Sequence, residues 1–265
     1  MTINKYLLTL VIIIYGKLSS AQQEQKIAIN QLGFYPNASK IAVIIEDVSA
    51  TSFDIISTKT QAIVYSGKLS ETKQSINSSL KTKQANFSLL KKPGAYVIRV
   101  KGLPDSYRFN IQNEVNHPAA AASLKGFYFI RSNTPLIEKY AGKWARPAGH
   151  PDTEVLVHAS AATKHRPEGT VISSPGGWYD AGDYNKYIVN SGISTSTLFS
   201  AYEDFPSYFD KLNINIPESD NQIPDILDEA IYNLRWMLTM QDPNDGGVYH
   251  KCTNAAFDAM DNMPG

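Results

Sequence analysis

Two aspartates separated by Ala-Gly are the strongest candidates for chemistry in this sequence. Asp180 and Asp183 lie within segment 176–187, GGWYDAGDYNKY. A pair of carboxylates can hold one water molecule and take its proton, which activates that water for attack on the anomeric carbon of a sugar. The spacing alone favours a simpler interpretation, because an Asp-x-x-Asp pair often caps the start of a helix.

Aromatic residues surround the aspartate pair and form the candidate substrate-binding set. They are Trp178, Tyr179, Tyr184 and Tyr187. Their rings present flat apolar faces with polar tips, which suit the C–H faces of sugar rings. Gly177 and Gly182 allow sharp backbone turns and close approach of a ligand.

We find no strong sequence motif for another type of catalysis or for metal binding. The sequence contains no nucleophile elbow, zinc-protease motif, phosphate loop or dinucleotide fingerprint. Segment 242–247, DPNDGG, is predicted to be a plain turn, because Gly246 and Thr253 stand where a calcium loop needs ligands. The five histidines lack metal-ligand spacing, so no metal ligand is assigned.

Composition narrows the class of protein. With 43% hydrophobic and 19% charged residues, the 265-residue chain is not mainly disordered. Lys+Arg and Asp+Glu number 25 each, and this zero net charge argues against a nucleic-acid partner. The single cysteine, Cys252, excludes an internal disulfide and a Cys-rich zinc module.

The first residues have the order of a secretory signal. Lys5 precedes the apolar run 7–15, and Ser19 and Ala21 follow at peptidase spacing. We therefore predict a signal peptide at 1–21 and a periplasmic or secreted protein. The run is too short for a stable span, so no membrane span is expected after cleavage. A buried strand or an uncleaved anchor is the alternative.

Residues 24–112 have the pattern of an all-β immunoglobulin-like sandwich. Seven short strands are predicted, at 27–34, 41–46, 53–57, 62–65, 85–90, 95–100 and 107–111. Tyr96 stands where a tyrosine corner would bond back to the preceding turn. We interpret this domain as a packing or positioning module, with a sugar-binding face as the alternative.

Residues 113–265 change to a helical pattern. Pro118 opens an alanine-rich helix, and a second helix is predicted at 188–204. A third carries apolar residues at helical spacing over 223–238, with Pro224 in its first turn. A loop-rich stretch, 145–177, lies between the first two helices. The pattern predicts an all-α domain.

Segment 176–187 resembles the signature of glycoside hydrolase family 9, the endoglucanase or cellulase family. The resemblance extends through 188–206 and 223–251, and 29–44 resembles the start of the immunoglobulin-like domain that often precedes this family's barrel. It implies a multi-domain fold, in which an N-terminal all-β immunoglobulin-like sandwich precedes the first part of an all-α (α/α)6 barrel.

The resemblance also implies a reaction and its residues. The family hydrolyses β-1,4 bonds of glucans with inversion, which makes Asp183 the general base and Asp180 a residue that holds the water. The substrate would be a β-glucan polysaccharide or oligosaccharide. The expected enzyme is an endo-β-1,4-glucanase, although the sequence does not decide between endo and exo action. No cofactor is required, although the family often binds structural calcium.

One catalytic group is not assigned within this chain. The family's general acid is a glutamate near the end of the barrel, and the sequence stops before that region. We therefore expect the 265-residue chain to be inactive by itself. The alternative function is a non-catalytic glycan-binding protein, in which the aromatic–Asp segment only holds sugar.

Overall fold

A computed structural model describes residues 25–45 and 48–254. The chain forms two compact units that divide between His117 and Pro118. The predicted signal peptide at 1–21 and Glu46, the end of a predicted strand, lie outside the described residues. Within the described ranges, every helix is too short or too polar to cross a membrane.

The first unit contains two antiparallel four-stranded sheets. The strands are β1 (Ile27–Ala28), β2 (Ile41–Ile44), β3 (Ser52–Ser57), β4 (Ile63–Lys68), β5 (Lys73–Gln74), β6 (Lys81–Asn86), β7 (Gly94–Arg99) and β8 (Phe109–Ile111). One sheet has the order β1-β2-β6-β5 and the other the order β4-β3-β7-β8. This arrangement agrees with the predicted all-β unit.

Alternating side chains of these strands form the core of the first unit. On β7, Tyr96 and Ile98 are buried, as the period-two pattern predicts. The ring of Phe34 packs edge-on against Phe87 and Phe109, with centroids 5.4 and 5.8 Å away. Aromatic pairs in this geometry add to the stability that burial itself provides.

The β5–β6 hairpin differs from the prediction. A strand was expected at 85–90, whereas β6 covers Lys81–Asn86 and β5 was not predicted. Only Ala85 of β6 is fully buried, so the strand lacks the apolar alternation that marks a strand in sequence. Phe87 and Leu90 are buried from the turn that follows β6.

The second unit contains helices joined by long loops and small strand pairs. Its helices are α1 (His117–Phe129), α2 (Glu138–Ala141), α3 (Ile188–Asp204), α4 (Pro206–Phe209) and α5 (Asp225–Thr239). Two-residue strands form two further pairs that the sequence did not predict: β9 (Val155–Leu156) with β10 (Val171–Ile172), and β11 (Lys186–Tyr187) with β12 (Lys251–Cys252). Helices α3 and α5 pack against each other.

The buried face of α5 is more polar than its apolar pattern predicts. Leu238 is 70% exposed, whereas the buried residues are Asp225, Ile226, Asp228, Glu229, Ala230, Asn233 and Trp236. Asp225 is satisfied because its Oδ2 accepts hydrogen bonds from the backbone of Ile214 and from Ser219 Oγ. Buried polar groups of this kind require partners, and here they fix the loop before α5.

Candidate active site

The aspartate segment is anchored at its start to the end of α1. The backbone N–H of Tyr179 donates to the carbonyl of Ile130 at 2.9 Å, and that of Ser132 donates to the carbonyl of Gly177 at 2.8 Å. Arg131 and Trp178 thus face each other as an isolated antiparallel bridge. The chain leaves this bridge at Asp180.

Lys186 closes the other end of the segment. Its buried ammonium lies 2.6 Å from Asp152 Oδ2 and donates to the carbonyls of Ser174 and Gly176 at 3.0 and 2.8 Å. The buried charge therefore has a carboxylate partner and two further acceptors, as burial of an ammonium requires. These contacts join the loop of Asp152 and the loop of Ser174 and Gly176 to β11.

Trp178 packs into the interior of the second unit. It is 3% exposed, and its ring lies 4.7 Å from that of Phe127. Its backbone N–H donates to Asn233 Oδ1, and Asn233 Nδ2 donates to Thr195 Oγ1. One amide of α5 thus joins the aspartate segment to α3.

Two of the predicted tyrosines form a ring cluster with a histidine. The rings of Tyr179 and Tyr184 lie 5.1 Å apart, and Tyr184 stacks on His150 at 5.3 Å. The hydroxyl of Tyr179 donates to the carbonyl of Gly149 at 3.3 Å, and burial raises the pKa of Tyr179. Tyr184 has a φ of +57°, which places it in the left-handed region. That region is unusual for a residue other than glycine, and such residues cluster at functional sites.

Each aspartate is held by a different asparagine. Asp183 Oδ2 accepts from Asn185 Nδ2 at 2.8 Å and its Oδ1 accepts from the backbone N–H of Asn185 at 3.3 Å. Asp180 Oδ1 accepts from Asn190 Nδ2 of α3 at 2.8 Å. Carboxylate oxygens have several lone pairs, so both groups keep the capacity to accept a hydrogen bond from water.

The helix-capping interpretation of the aspartate pair is wrong. Helix α3 begins at Ile188, its N-cap is Tyr187, and no side chain makes the cap hydrogen bond. Asp180 is exposed and Asp183 is half-buried in the loop that precedes β11. The two carboxylates therefore remain available for chemistry.

The predicted substrate-binding residues separate into two groups. Trp178 and Tyr179 are buried side chains that stabilise the segment. Tyr184 and Tyr187 are half-buried beside the aspartates. Contact of these residues with sugar stays a prediction, and the geometry favours Tyr184 and Tyr187.

Arg131, one of the two residues of the bridge with Trp178, also belongs to a cluster of charged side chains. The guanidinium of Arg131 lies 3.0 Å from a carboxylate oxygen of Glu229 and 3.0 Å from one of Glu218. It also lies 4.3 Å from the ring centroid of Tyr232. Burial raises the pKa of Glu229 to about 7, although Arg131 acts in the opposite direction.

The structure was searched for clusters of metal-binding side chains. Within 25–45 and 48–254, no group of three or more His, Cys, Asp or Glu could hold a metal ion. Segment 242–247 is the plain turn that was predicted, since the N–H of Asp242 donates to the carbonyl of Gly247 at 2.7 Å. Arg166 forms an ion pair with Asp242. Binding of structural calcium, which the family resemblance allows, stays a prediction.

Sequence reasoning missed the residues that orient the site. Asn185, Lys186, Asn190, Asp152 and His150 were not predicted to act there. Asn185 alone had a local signal, because it follows Asp183 by two residues, the spacing at which an aspartate side chain bonds the backbone in an Asx turn.

Comparison with known proteins identifies the class. The sequence model described as Glycosyl hydrolase family 9 matches residues 117–264. The one described as Cellulase N-terminal ig-like domain matches residues 22–105. The chain belongs to glycosyl hydrolase family 9, and its first unit is the immunoglobulin-like domain.

Particular relatives are named glucanases. A xyloglucan-specific endo-beta-1,4-glucanase, BoGH9A, of Bacteroides ovatus is 50% identical over 234 residues, which are 88% of this chain and 39% of that protein. Endoglucanase D of Acetivibrio thermocellus is 34% identical over 239 residues, which are 89% of this chain and 36% of that protein.

A solved structure agrees with the fold of both units. The structure titled Bacteroides ovatus GH9 matches with a TM-score of 0.84 at 48% identity, over 90% of this chain and 44% of that one. The chain thus spans about two fifths of the length of its relatives.

Proposed function

We propose that the whole protein hydrolyses β-1,4-glycosidic bonds within a β-glucan and inverts the anomeric carbon. One observation carries the proposal. Asp180 and Asp183 stand in the family-9 segment with their carboxylates held by separate amides, from Asn190 and Asn185. Two oriented carboxylates beside one water molecule are what a base-assisted displacement needs.

In the proposed step, Asp183 removes a proton from a water molecule that Asp180 helps to hold. The oxygen of that water attacks the anomeric carbon while the bond to the leaving sugar oxygen breaks. A general acid then gives the leaving oxygen a proton, and none of the described residues is assigned to that role. The chemistry needs two carboxyl groups and water, so we propose that no cofactor takes part.

The names of the relatives support a proposal for the substrate class. Proteins named endoglucanase or endo-beta-1,4-glucanase match this chain, and the 50% identical one is named as specific for xyloglucan. We propose a β-1,4-glucan main chain as the common substrate, and a branched glucan of the xyloglucan type as the first to test.

Two further expectations belong to the proposal. The described helices α1, α3 and α5 are the first part of an (α/α)6 barrel, which agrees with the family match over 117–264. Segment 1–21 would direct the protein to the periplasm or outside the cell, because of its charged start and apolar run.

The experiment is hydrolysis by a polypeptide that extends this chain to the length of its relatives. Reducing ends would be measured on xyloglucan, carboxymethylcellulose and mixed-linkage glucan. Asp183→Asn should slow their release by about 10²–10⁴-fold, whereas Asp204→Asn, at the exposed end of α3, should not. Binding to glucan without release of reducing ends would instead establish a glycan-binding protein.

A further inference from the structure

Among the described residues, Asn185 donates two hydrogen bonds to the carboxylate of Asp183. Asn185 donates its side-chain Nδ2 to Oδ2 at 2.8 Å and its backbone N–H to Oδ1 at 3.3 Å. Asn185 is only 3% exposed, so a substrate cannot reach its side chain. Both Asp183 oxygens are thereby held in one direction.

The amide of Asn185 is itself fixed in orientation. Its Oδ1 accepts from the backbone N–H of Asn254 at 3.3 Å. A rotation that exchanged Oδ1 and Nδ2 would place an acceptor against the carboxylate of Asp183 and a donor against that N–H. Its backbone carbonyl accepts from the N–H of Asp180 at 2.9 Å. Every polar group of Asn185 therefore has a partner in one arrangement only.

The two aspartates are oriented independently at their side chains. Asp180 depends on Asn190, which belongs to α3. Asp183 depends on Asn185, which lies in the loop and is bonded to Asn254, two residues after β12. A change at Asn185 should therefore act first on Asp183.

We propose that Asn185 is the positioning residue that fixes the Asp183 carboxylate toward the attacking water. This inference rests on the proposed function, in which Asp183 takes the proton of that water. A carboxylate free to rotate would present its lone pairs to the water in only a fraction of molecules. A misplacement of about 1 Å at a reacting group can cost roughly 10²-fold in rate.

The test uses Asn185→Asp and Asn185→Ala in the polypeptide that is extended to the length of the relatives. Asn185→Asp keeps the size of the side chain and the acceptor for Asn254, but it replaces the donor to Asp183 with a second carboxylate. We expect kcat to fall by about 10²-fold with KM unchanged, because Asn185 is shielded from substrate. Asn77→Ala, an exposed asparagine of the first unit, is the matched control and should leave kcat unchanged.

A double-variant cycle separates positioning from a general loss of structure. If Asn185 acts through Asp183, then Asn185→Ala together with Asp183→Ala should be no slower than Asp183→Ala alone. The inference is overturned, while the proposed function stands, by any of three results. These are a double variant whose loss in rate is the product of the two single losses, a normal kcat in Asn185→Asp, and a change in KM alone.

An inactive wild-type polypeptide would refute the proposed function and, with it, the catalytic part of the inference; crystal structures would then decide whether Asn185 orients the Asp183 carboxylate. A rotated Asp183 carboxylate in Asn185→Ala, with the wild-type orientation kept in Asn77→Ala, supports the positioning role. An unchanged orientation in Asn185→Ala overturns it.

Discussion

Gly177 lies so close to the indole ring of Trp236 that a β-carbon at Gly177 would stand 2.6 Å from Cδ2 of the ring. Gly177 also has a φ of +80°. The segment that carries the aspartates thus touches α5 at a point where only glycine meets both the steric and the backbone requirements.

Gly177→Ala should therefore destabilise the protein more than an alanine at another left-handed glycine. Gly169 is the matched control, because its φ is +79° and a β-carbon there would meet nothing within 4 Å. We expect Gly169→Ala to lower the free energy of unfolding by about 1–2 kcal/mol from the backbone alone. Gly177→Ala should lose about 1–3 kcal/mol more from overpacking. Equal losses in urea denaturation would contradict this reading of the contact.

Lys186→Met should lower the free energy of unfolding, because Lys186 holds the loops next to the aspartate segment. The substitution leaves Asp152 without its cation and the carbonyls of Ser174 and Gly176 without their donor. Breaking a buried ion pair costs about 3 kcal/mol or more, and we expect the low end because Asp152 keeps some contact with water. Lys101→Met, at an exposed site, is the control. The prediction is wrong if both variants unfold at the same urea concentration.

Because of Glu229, the free energy of unfolding should decrease as the pH rises. Burial raises its pKa from 4.5 to about 7, against the opposing effect of Arg131. Between these values the folded state keeps a proton that the unfolded state has lost. The contribution of this group to the free energy of unfolding is therefore complete below 4.5 and is lost as the pH rises toward 7.

Denaturation of Glu229→Gln at a series of pH values checks this sign. The variant cannot titrate at this position, so its stability should fall less than that of the wild type as the pH rises from 4.5 to 7. Glu203→Gln, an exposed glutamate of α3, should follow the wild-type curve. Parallel curves for wild type and Glu229→Gln would show that Glu229 is not the responsible group.

The tyrosine corner of the first unit should contribute measurably to its stability. The hydroxyl of Tyr96 donates to the carbonyl of Lys92 at 2.9 Å, as the sequence predicted. Tyr96→Phe leaves a carbonyl without this donor and should cost about 1 kcal/mol. Tyr107→Phe, at a residue 44% exposed, should cost less. Thermal unfolding of both variants measures the difference, and a Tyr96→Phe variant as stable as wild type would contradict it.

Local patterns predicted much of this fold. Helix α3 has the predicted bounds, 188–204, and the Tyr96 corner forms as expected. Both depend on residues close together in sequence. Helix α5 begins at Asp225, directly after Pro224, close to its predicted start.

Features that depend on distant contacts were not predictable from the chain alone. Strand β6 carries polar residues and is recognisable only from its pairing with β2 and β5. The acids Asp225 and Glu229 are buried because Ile214 and Arg131 supply partners from other segments. The stacking of His150 on Tyr184 likewise joins residues far apart in sequence.

For the candidate site, the sequence supplied the proposed reacting groups but not the residues that support them. Asp180 and Asp183 come from the family segment, and their catalytic roles stay predictions. The burial of Trp178 and Tyr179 was not, because an aromatic residue beside a carboxylate pair can pack inward or face a ligand. In the structure, Trp178 packs against Phe127 of α1, whereas Tyr179 packs against His150 and Tyr184.

The most direct test of the account is the anomeric configuration of the first product. Proton NMR would follow hydrolysis of a β-linked glucan by the polypeptide that is extended to the length of the relatives. The wild type and Asp183→Ala with added azide would be compared. The account predicts that the α-anomer appears first, that Asp183→Ala lowers turnover by about 10²–10⁴-fold, and that azide yields an α-glycosyl azide. A first product in the β configuration, or near-normal turnover in Asp183→Ala, would contradict the assignment of Asp183 as the base of an inverting hydrolase.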